Sequence, residues 1–449
     1  MVATTLLASF VALGATALWP QVNALPPSNQ SLDVLLPVDT RNVDYSAPAC
    51  TITLMENYTF GYSYNTPYQG PYAAPPCAND VDYSLAFLRF QANVDPGRQF
   101  DRLVAVWVDS LELLRSTTQE PNRFTGPHWE VFKDISHYRK IFAKGGNVTV
   151  SLDNIVNTNY TSSFHVTVKV EFYKEINKAC GHLKTARRVP ALPDVIVPIS
   201  NKASAYSWFN VQPNTLGQNF NAVTLPQNLE SLHLELFISH HGCDEFHYIN
   251  PPDAYKAAVG TKCGGGAFRE IQIFIDGALV SAVWPFPLIY TGGLSPALWR
   301  PIVATGAFEA PTYLVDLTPF LALVVDGKSH NISFGIDYGL DYWPTTGNLL
   351  AYLDKNGNVT QATIDSKVLD AHVVPTVTTT GDAPNFTVTT TASRQILVSS
   401  TIKTSKGTRE YGIKQTFGYK NTQVYSHNAD DVTFDQRTTV ETTTFVKFE

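Results

Sequence analysis

An apolar run closed by an aspartate turn occurs twice in this chain, and this repeat limits the possible folds more than any other feature. The first copy is the run LVAVWV (Leu103–Val108), which is followed by Asp109-Ser110. The second copy is the run IQIFI (271–275), which is followed by Asp276-Gly277. Each run is short, mostly apolar and rich in β-branched residues, as is typical of a central strand covered on both faces. The repeat predicts two related β-sheet units in one chain.

Later segments repeat in the same order. Asp134 opens the string DISHY and Asp316 opens the string DLTPF, while NVTV at Asn147 recurs as NISF at Asn331. We therefore predict an all-β protein with two adjacent jelly-roll-like β-sandwiches. From about Thr345 the sequence becomes rich in Thr and Val, an alternation that favours further strands. The predicted division is a first sandwich over 47–200, a second over 201–345 and a C-terminal accessory β region over 346–449.

Length and charge exclude several classes of protein. A chain of 449 residues can hold two or three domains that each bury a core. The net charge of −7 argues against nucleic acid or an anionic membrane as a partner, because both require concentrated Lys and Arg. A neutral ligand such as a sugar fits this charge better.

The amino-terminal segment is typical of a secretory signal. Residues 2–18 are apolar, and Val22-Asn23-Ala24 offers the small residues that a signal peptidase requires. A transmembrane helix is the alternative, but the apolar run is short. We predict a signal peptide over 1–24 and a secreted, extracellular protein. Seven Asn-x-Ser/Thr sequons agree with a glycosylating pathway: Asn29, Asn57, Asn147, Asn159, Asn331, Asn358 and Asn385.

Five cysteines in a secreted protein imply two disulfides and one leftover thiol. Proximity along the chain favours the pairs Cys50 with Cys77 and Cys243 with Cys263. Cys180 then stays free. The sequence alone does not prove this connectivity.

Asp101 and Arg102 stand at the head of the first apolar run. Neighbouring residues on a strand point to opposite faces, so these two side chains pair only if a bulge or the strand end turns them. A solvated strand end with a surface carboxylate is the simpler interpretation. In the second copy, however, Phe268 takes the place of Asp101, so a framework requirement shared by both copies does not explain the carboxylate. This difference favours a functional Asp at a rigid strand end.

Two loops are rich in aromatic residues. The second copy carries an insertion over 284–301 that the first lacks, and long loops of this kind are usually functional. Its Trp, Tyr and Arg residues suit a carbohydrate, although an aromatic plug between two domains is the alternative. The segment 60–72 is rich in Gly and Pro, which predicts no regular structure. Its tyrosines either pack under the loop, which is the simpler interpretation, or line a sugar site.

The string SHHGCDEFHY (239–248) is the densest cluster of titratable groups. On a strand, His241, Cys243, Glu245 and His247 would share one face and could form a zinc site. A disulfide at Cys243 competes with this possibility, and no second cluster completes the ligands. We therefore expect no metal and no other cofactor, with a carboxylate of this string acting as acid or base in a cleft.

Many short strings in one order resemble the peptide N-glycosidase A family of glycoamidases, secreted enzymes of plants and fungi. They span about 47–345, and they are QFDR at Gln99, LLRSTT at Leu113 with Glu120-Pro121, DEF at Asp244, NPP at Asn250, FRE at Phe268, and WPFP at Trp284 through YTGG at Tyr290 to LWRP at Leu298. A fainter likeness reaches the bacterial peptide N-glycosidase F, which has two jelly-roll domains. Where the plant-like pattern has Asn and Trp around the Asp-Glu pair, this chain has Cys243 and His247, which puts the details of substrate contact in question.

The resemblance implies roles for particular residues. The catalytic Asp falls on Asp101, a second-domain Glu falls on Glu245, and an active-site Arg falls on Arg300. The implied reaction is hydrolysis of the amide between an Asn side chain and the first N-acetylglucosamine of an N-glycan. Asp101 would activate water or attack directly, and Glu245 would contact the sugar or supply a proton. The residues expected to bind substrate are Arg102, Arg300, Trp299, Trp284, Tyr290, His241 and Asp244.

Two other classes of function are alternatives to a glycoamidase acting on N-glycosylated peptides or proteins. One is a non-catalytic glycan-binding protein, and the other is a structural wall or surface protein. A lectin requires aromatic and polar contacts but no paired carboxylates between its sandwiches. Asp101 together with Glu245 therefore favours the enzyme.

Overall fold

The computed structural model describes residues 29–34, 48, 50–77, 85–174, 192–202, 206–215 and 217–448. The expected signal peptide and the expected free thiol of Cys180 lie outside these ranges. Almost all regular structure in the described part is β-strand, which confirms the all-β prediction. The strands are β1 (Cys50–Phe60), β2 (Tyr68–Tyr72), β3 (Leu85–Val94), β4 (Leu103–Val108), β5 (Leu111–Thr117), β6 (His128–Asp134), β7 (Gly146–Leu152), β8 (Phe164–Tyr173), β9 (Val195–Ile199), β10 (Phe209–Val211), β11 (Phe220–Thr224), β12 (Leu229–Ile238), β13 (Glu270–Ile275), β14 (Ala278–Val283), β15 (Tyr313–Asp316), β16 (Ser329–Asp337), β17 (Trp343–Leu353), β18 (Gln361–Leu369), β19 (Thr376–Asp382), β20 (Asn385–Thr404), β21 (Gly407–Ser426) and β22 (Asp431–Phe448).

Short 3-10 helices join some of these strands: Ser136–Ala143, Gly242–Asp244, His247–Ile249, Asp253–Tyr255, Pro296–Trp299 and Thr318–Leu323.

The first sandwich pairs two antiparallel sheets, with strand orders β1-β8-β3-β6 and β2-β7-β4-β5. Strand β4 has the bounds that the apolar run predicts, and it is buried on both faces. Val104, Val106 and Val108 face the core of the sandwich. Ala105 and Trp107 pack on the other face with Trp208. An apolar run therefore forms a central strand here because a second layer covers its outer face.

The second sandwich repeats this plan. Its sheets have the orders β10-β17-β12-β15 and β11-β16-β13-β14, so β13 lies between β16 and β14 as β4 lies between β7 and β5. The Asp turns also correspond, because Asp109 and Asp276 have φ values of 48° and 49°. The Asp109 carboxylate accepts the Asn147 N–H at 2.9 Å, and that of Asp276 accepts the Asn331 N–H at 2.7 Å. The predicted repeat is confirmed, whereas the jelly-roll label stays a prediction.

The second sandwich takes in residues on both sides of the expected boundaries. Strand β9 lies before residue 201 but pairs with β17, and β17 continues to Leu353. We therefore propose that the first sandwich covers 50–173 and the second 195–353.

A third sheet forms the C-terminal region, with the order β18-β20-β21-β22 and β19 on the edge of β20. Its apolar face joins the core of the second sandwich through Ile396, Val398, Phe417 and Tyr419. The accessory β region is thus packed on the second sandwich.

The two disulfides join the cysteine pairs that the sequence predicted. Cys50 bonds Cys77 and Cys243 bonds Cys263, with Cα–Cα distances of 6.2 Å and 5.1 Å.

The segment 60–72, which was expected to be irregular, contains strand β2. Pro71 is tolerated in β2 because that strand lies at the edge of its sheet and needs fewer backbone donors.

A buried ion pair fixes the two sandwiches against each other. The guanidinium of Arg115 on β5 donates from Nε and Nη2 to the two carboxylate oxygens of Glu112, at 2.6 Å and 2.9 Å. Its Nη1 reaches across to Ser239 Oγ at 2.6 Å and to the Pro344 carbonyl at 2.9 Å. A desolvated guanidinium with all these partners fixes their positions closely, since loss of Glu112 would leave a buried charge unpaired and loss of either other acceptor would leave a buried N–H unsatisfied. The segment that follows Ser239 is therefore held at the interface.

Candidate active site

A cleft of about 430 Å³ opens between the two sandwiches. Five of the nine residues expected to act on substrate line it, and they come from both sandwiches: Asp101, Arg102, His241, Glu245 and Tyr290. The first sandwich supplies Asp101 and Arg102 from the segment that leads into β4. The second supplies the other three from the loops after β12 and β14.

Asp101 is held by the insertion of the second sandwich. Its Oδ2 accepts the backbone N–H of Gly292 at 2.9 Å. Burial raises the pKa of Asp101, whereas this N–H and the neighbouring Arg102 act in the opposite direction. The 284–301 loop thus contacts the carboxylate directly through its backbone.

Glu245 lies just beyond the 3-10 helix Gly242–Asp244, and its N–H donates to the Gly242 carbonyl at 3.1 Å. The disulfide at Cys243 ties this turn to Cys263. Burial and the nearby charge of Asp101 raise the pKa of Glu245 to about 7. The two carboxyl groups therefore interact across the cleft, although they are 144 positions apart in the sequence.

A third carboxyl group, Glu120, lies beside Asp101 and was missed by sequence reasoning. Its Oε1 accepts the Asp101 N–H at 3.4 Å, and only 8% of the residue is exposed. Burial and the charge of Asp101 raise the pKa of Glu120. The Glu120-Pro121 string marked the position, but nothing in the sequence showed that the chain turns back onto the head of β4.

Arg300 and Trp299 lie behind Asp101 and not among the lining residues of the cleft. Arg300 Nη2 lies 3.8 Å from Glu120 Oε2 and donates to the Pro121 carbonyl at 3.3 Å. Trp299 Nε1 donates to the Gly293 carbonyl at 2.8 Å. These contacts fix the insertion next to Asp101. We therefore propose that both residues support the site and act on substrate indirectly.

One part of the cleft is aromatic. The rings of Tyr206 and Trp208 are parallel, 5.1 Å apart, and the Tyr206 hydroxyl donates to Asp153 Oδ2 at 2.6 Å. The Asn65 N–H reaches the same carboxylate, and the half-exposed Tyr64 lines this part with it. Sequence reasoning considered only the tyrosines of segment 60–72. The other residues are far apart in the chain and carried no shared motif.

Two adjacent histidines, His240 and His241, also line the cleft. His240 stacks on Tyr290 with ring centroids 4.6 Å apart, and the Tyr290 hydroxyl donates to the His240 carbonyl at 2.9 Å. Burial lowers the pKa of His241 to about 4 and holds that of His240 well below its usual range. Both imidazoles are neutral at ordinary pH, so they add no positive charge beside Glu245.

Two residues expected to bind substrate, Asp244 and Trp284, do not line the cleft. Asp244 is fully buried and accepts hydrogen bonds from Arg269 Nε, Trp343 Nε1 and the backbone of 340–341. Trp284 is buried against the C-terminal sheet, and its Nε1 donates to Glu270 Oε2 at 2.8 Å. Both differ from the expectation because their polar atoms are already bonded within the protein.

One of the four residues that could have formed a zinc site, Cys243, is bonded to Cys263 in a disulfide and is not available as a ligand. The 239–248 string also turns through two 3-10 helices, so its alternate residues do not share a face. Within the described ranges, no group of three or more His, Cys, Asp and Glu side chains is placed to hold a metal ion.

The fold and the site define an all-β protein of two related sandwiches with a carboxyl-lined cleft between them. The chain belongs to the family described as peptide N-acetyl-beta-D-glucosaminyl asparaginase amidase A, whose model matches residues 37–368. A second model, the C-terminal domain of the same family, matches residues 387–447.

A named relative and two solved structures are similar to the chain. Peptide-N4-(N-acetyl-beta-glucosaminyl)asparagine amidase A of Prunus dulcis is 34% identical over 407 residues, which cover 89% of this chain and 70% of that protein. The structure of PNGase F, a glycosylasparaginase from Flavobacterium meningosepticum, has a TM-score of 0.45 at 15% identity and covers 68% of this chain and 96% of that one. The structure of PNGF-II has a TM-score of 0.46 at 12% identity and covers 68% of this chain and 65% of that one.

Proposed function

We propose that this protein is a glycoamidase that hydrolyses the amide between an Asn side chain and the first N-acetylglucosamine of an N-glycan. Water adds its oxygen to the side-chain carbonyl carbon, the C–N bond breaks, and the nitrogen leaves with the sugar as a glycosylamine. The peptide keeps an Asp. One observation carries the proposal, namely that Asp101 and Glu245 line the same cleft although they come from two different sandwiches. Membership of the amidase family supports it.

Burial raises the pKa of both carboxyl groups, but their other neighbours act in opposite directions. Asp101 accepts the Gly292 N–H and lies beside Arg102, and both contacts favour its ionised form. Glu245 is half-buried, and burial together with the Asp101 charge favours its neutral form. Two carboxyl groups with different electrostatic neighbours suit base and acid roles. Asp101 then activates water or attacks the amide carbon, and Glu245 supplies the proton for the leaving nitrogen.

Arg102 is placed to bind an oxygen of the substrate. Its Nη2 donates to Gln99 Oε1 at 2.7 Å, while its Nε is buried without a partner among the described residues. A buried N–H with no acceptor is costly, and a carbonyl oxygen in the cleft would satisfy it. Such a donor would stabilise the negative charge that develops on the amide oxygen.

The aromatic part of the cleft suits the glycan. Parallel rings such as those of Tyr206 and Trp208 offer apolar surface for the C–H face of a sugar, and the Asp153 carboxylate offers acceptors for its hydroxyls. We propose that this part holds sugar beyond the scissile bond. The proposed substrates are therefore N-glycosylated peptides or glycoproteins.

Secretion is part of the proposal. The two disulfides indicate an oxidising compartment. The asparagines of all seven sequons are exposed, so each could carry a glycan without disturbing the fold. In the described part of the chain, we found no helix with the length and apolar character required to cross a membrane.

The experiment that tests the proposal is incubation of the purified protein with an N-glycopeptide and, in parallel, with the same oligosaccharide released from its peptide. We expect loss of the glycan from the glycopeptide, with conversion of its Asn to Asp in the mass spectrum. Tight binding of both ligands without cleavage would instead identify a glycan-binding protein and contradict the proposal.

A further inference from the structure

The loop that carries Glu245 joins β12 to β13 and covers 239–269, with only short 3-10 helices in it. Its polypeptide backbone therefore lacks a strand partner that would satisfy its carbonyl groups. The disulfide between Cys243 and Cys263 closes the loop on itself but does not fix it to the rest of the molecule. Other contacts must determine where Glu245 lies.

The C-terminal sheet supplies those contacts through one face of β21. Three alternate residues of β21 donate to three consecutive carbonyls of the loop. Asn421 Nδ2 donates to the Tyr248 carbonyl at 2.9 Å, Tyr425 hydroxyl to that of Ile249 at 3.2 Å, and Gln423 Nε2 to that of Asn250 at 3.2 Å. The spacing of two residues places all three donors on one face of the strand. The three donor residues are buried, with exposed fractions of 1%, 1% and 5% for Asn421, Gln423 and Tyr425.

Aromatic contacts add to this docking. The Tyr248 ring stacks on Phe434 of β22 with centroids 5.5 Å apart, and Tyr255 stacks on Phe386 of β20 at 4.5 Å. Tyr248 also connects the sheet to the cleft, because burial and the charge of Glu245 raise the pKa of its hydroxyl. The sheet thus contacts the segment that begins three residues after Glu245.

We propose that Asn421 and Gln423 are positioning residues for the amidase reaction, and that the C-terminal sheet serves to hold the Glu245 loop in the cleft. This inference rests on the proposed function. Neither residue lines the cleft, so each acts through the backbone of 248–250. Without these donors the three carbonyls would turn toward water. The loop would open, and Glu245 would become hydrated.

The test uses substitutions that keep shape but remove the donors, Asn421→Leu and Gln423→Met. The matched control is Val424→Thr, on the exposed face of the same strand. The pKa of Glu245 is measured by NMR of carbon-13-labelled glutamate, with the signal assigned by its loss in Glu245→Gln. We expect the pKa to fall from about 7 towards its ordinary value of 4.5 in both donor variants, and to stay unchanged in the control. The kcat should fall in parallel, with its basic limb moved to lower pH.

The possible results distinguish donors that position Glu245 from donors that only stabilise the fold. A lower Tm with an unchanged Glu245 pKa and an unchanged pH profile of kcat would overturn the inference, because the donors would then only stabilise the fold. A variant that does not fold is replaced by Tyr425→Phe, which removes one hydroxyl and should give a smaller shift in the same direction. The NMR titration requires no turnover. A wild-type protein without amidase activity would therefore overturn the proposed function while the coupling of the sheet to Glu245 is still measured.

Discussion

At the scale of single residues, an Asn in place of Asp101 could make most of the contacts that hold the Asp101 side chain. The Asn side-chain oxygen can still accept the Gly292 N–H, so Asp101→Asn should preserve the local fold. It cannot act as a base or nucleophile of comparable strength. We expect kcat to fall by about 10²- to 10⁴-fold, while the Kd for a glycopeptide changes little. Separate measurements of kcat and Kd check this. Turnover close to that of the wild type would remove Asp101 from the reaction.

We expect Glu245 to influence how kcat and stability depend on pH. Its pKa in the folded protein is about 7, above the ordinary 4.5, so the folded state binds the proton more tightly than the unfolded state. The stability gained from this proton is present below pH 4.5 and lost as the pH rises through 7. If the protonated form is the active one, kcat should fall over the same upper range.

The variant Glu245→Gln separates these effects because it carries no charge at any pH. We expect its Tm to exceed that of the wild type above pH 7 and to match it at low pH. Its kcat should be low throughout. A wild-type kcat that rises through pH 7 would contradict a proton-donor role for Glu245.

Gly292 is the position where a single carbon atom would disturb the site most. A Cβ there would lie 2.5 Å from Glu120 Oε1 and 2.7 Å from Asp101 Oδ1, closer than such contacts allow. Gly292→Ala should therefore displace both carboxylates and lower kcat by about 10²-fold. Gly61→Ala is the control, because the nearest atom to its Cβ, Ser163 Oγ, is 3.8 Å away. Equal kcat losses in the two variants would show that the effect is not local.

The sequence predicted Asp101 and Glu245 as catalytic residues but did not point to the residues that lie beside them. Asp101 was recognisable because its counterpart in the repeat is Phe268. Asp244 was expected to bind substrate because it belongs to the DEF string on which the family resemblance rests, yet the 3-10 turn directs its carboxylate inward to Arg269. Glu120 and Asp153 were missed because their roles depend on which segments return to the head of β4, and no local pattern contains that information.

At the scale of elements, the loop between β12 and β13 depends on its disulfide. The bond between Cys243 and Cys263 closes a separation of 20 residues, and loops of this size gain about 3 kcal/mol from the restricted unfolded state. Replacing both cysteines by Ser should lower the free energy of unfolding by about that amount. Chemical denaturation with an intact Cys50–Cys77 pair measures it. A change within error would show that the C-terminal sheet holds this loop unaided.

The strands around the repeat were the most predictable elements. Each apolar run ends at an Asp whose carboxylate accepts a backbone N–H, so pattern and turn chemistry agree at Asp109 and Asp276. Strand β2 was not predicted, because Gly70 and Pro71 usually break strands and only an edge position tolerates them. Edge or centre is a property of the assembled sheet, which the local sequence does not specify.

At the scale of the whole molecule, the repeat predicted two sandwiches but not the surfaces they use. Trp284 was expected in a sugar site and instead packs with Phe417 against the C-terminal sheet. Aromatic residues suit a domain interface and a carbohydrate site equally well, so composition could not separate the two. The cleft exists because the insertion at 284–301 and the loop at 239–269 both extend from the second sandwich towards β4.

The most direct test of the proposed reaction follows the oxygen atom of water. An N-glycopeptide is incubated with the wild-type protein in water enriched in oxygen-18, and the peptide and the glycan are analysed by mass spectrometry. We predict one heavy oxygen in the new Asp side chain, release of the glycan as a glycosylamine, and neither product from Asp101→Asn. A peptide that keeps its Asn nitrogen, or heavy oxygen found first on the sugar, would contradict the account.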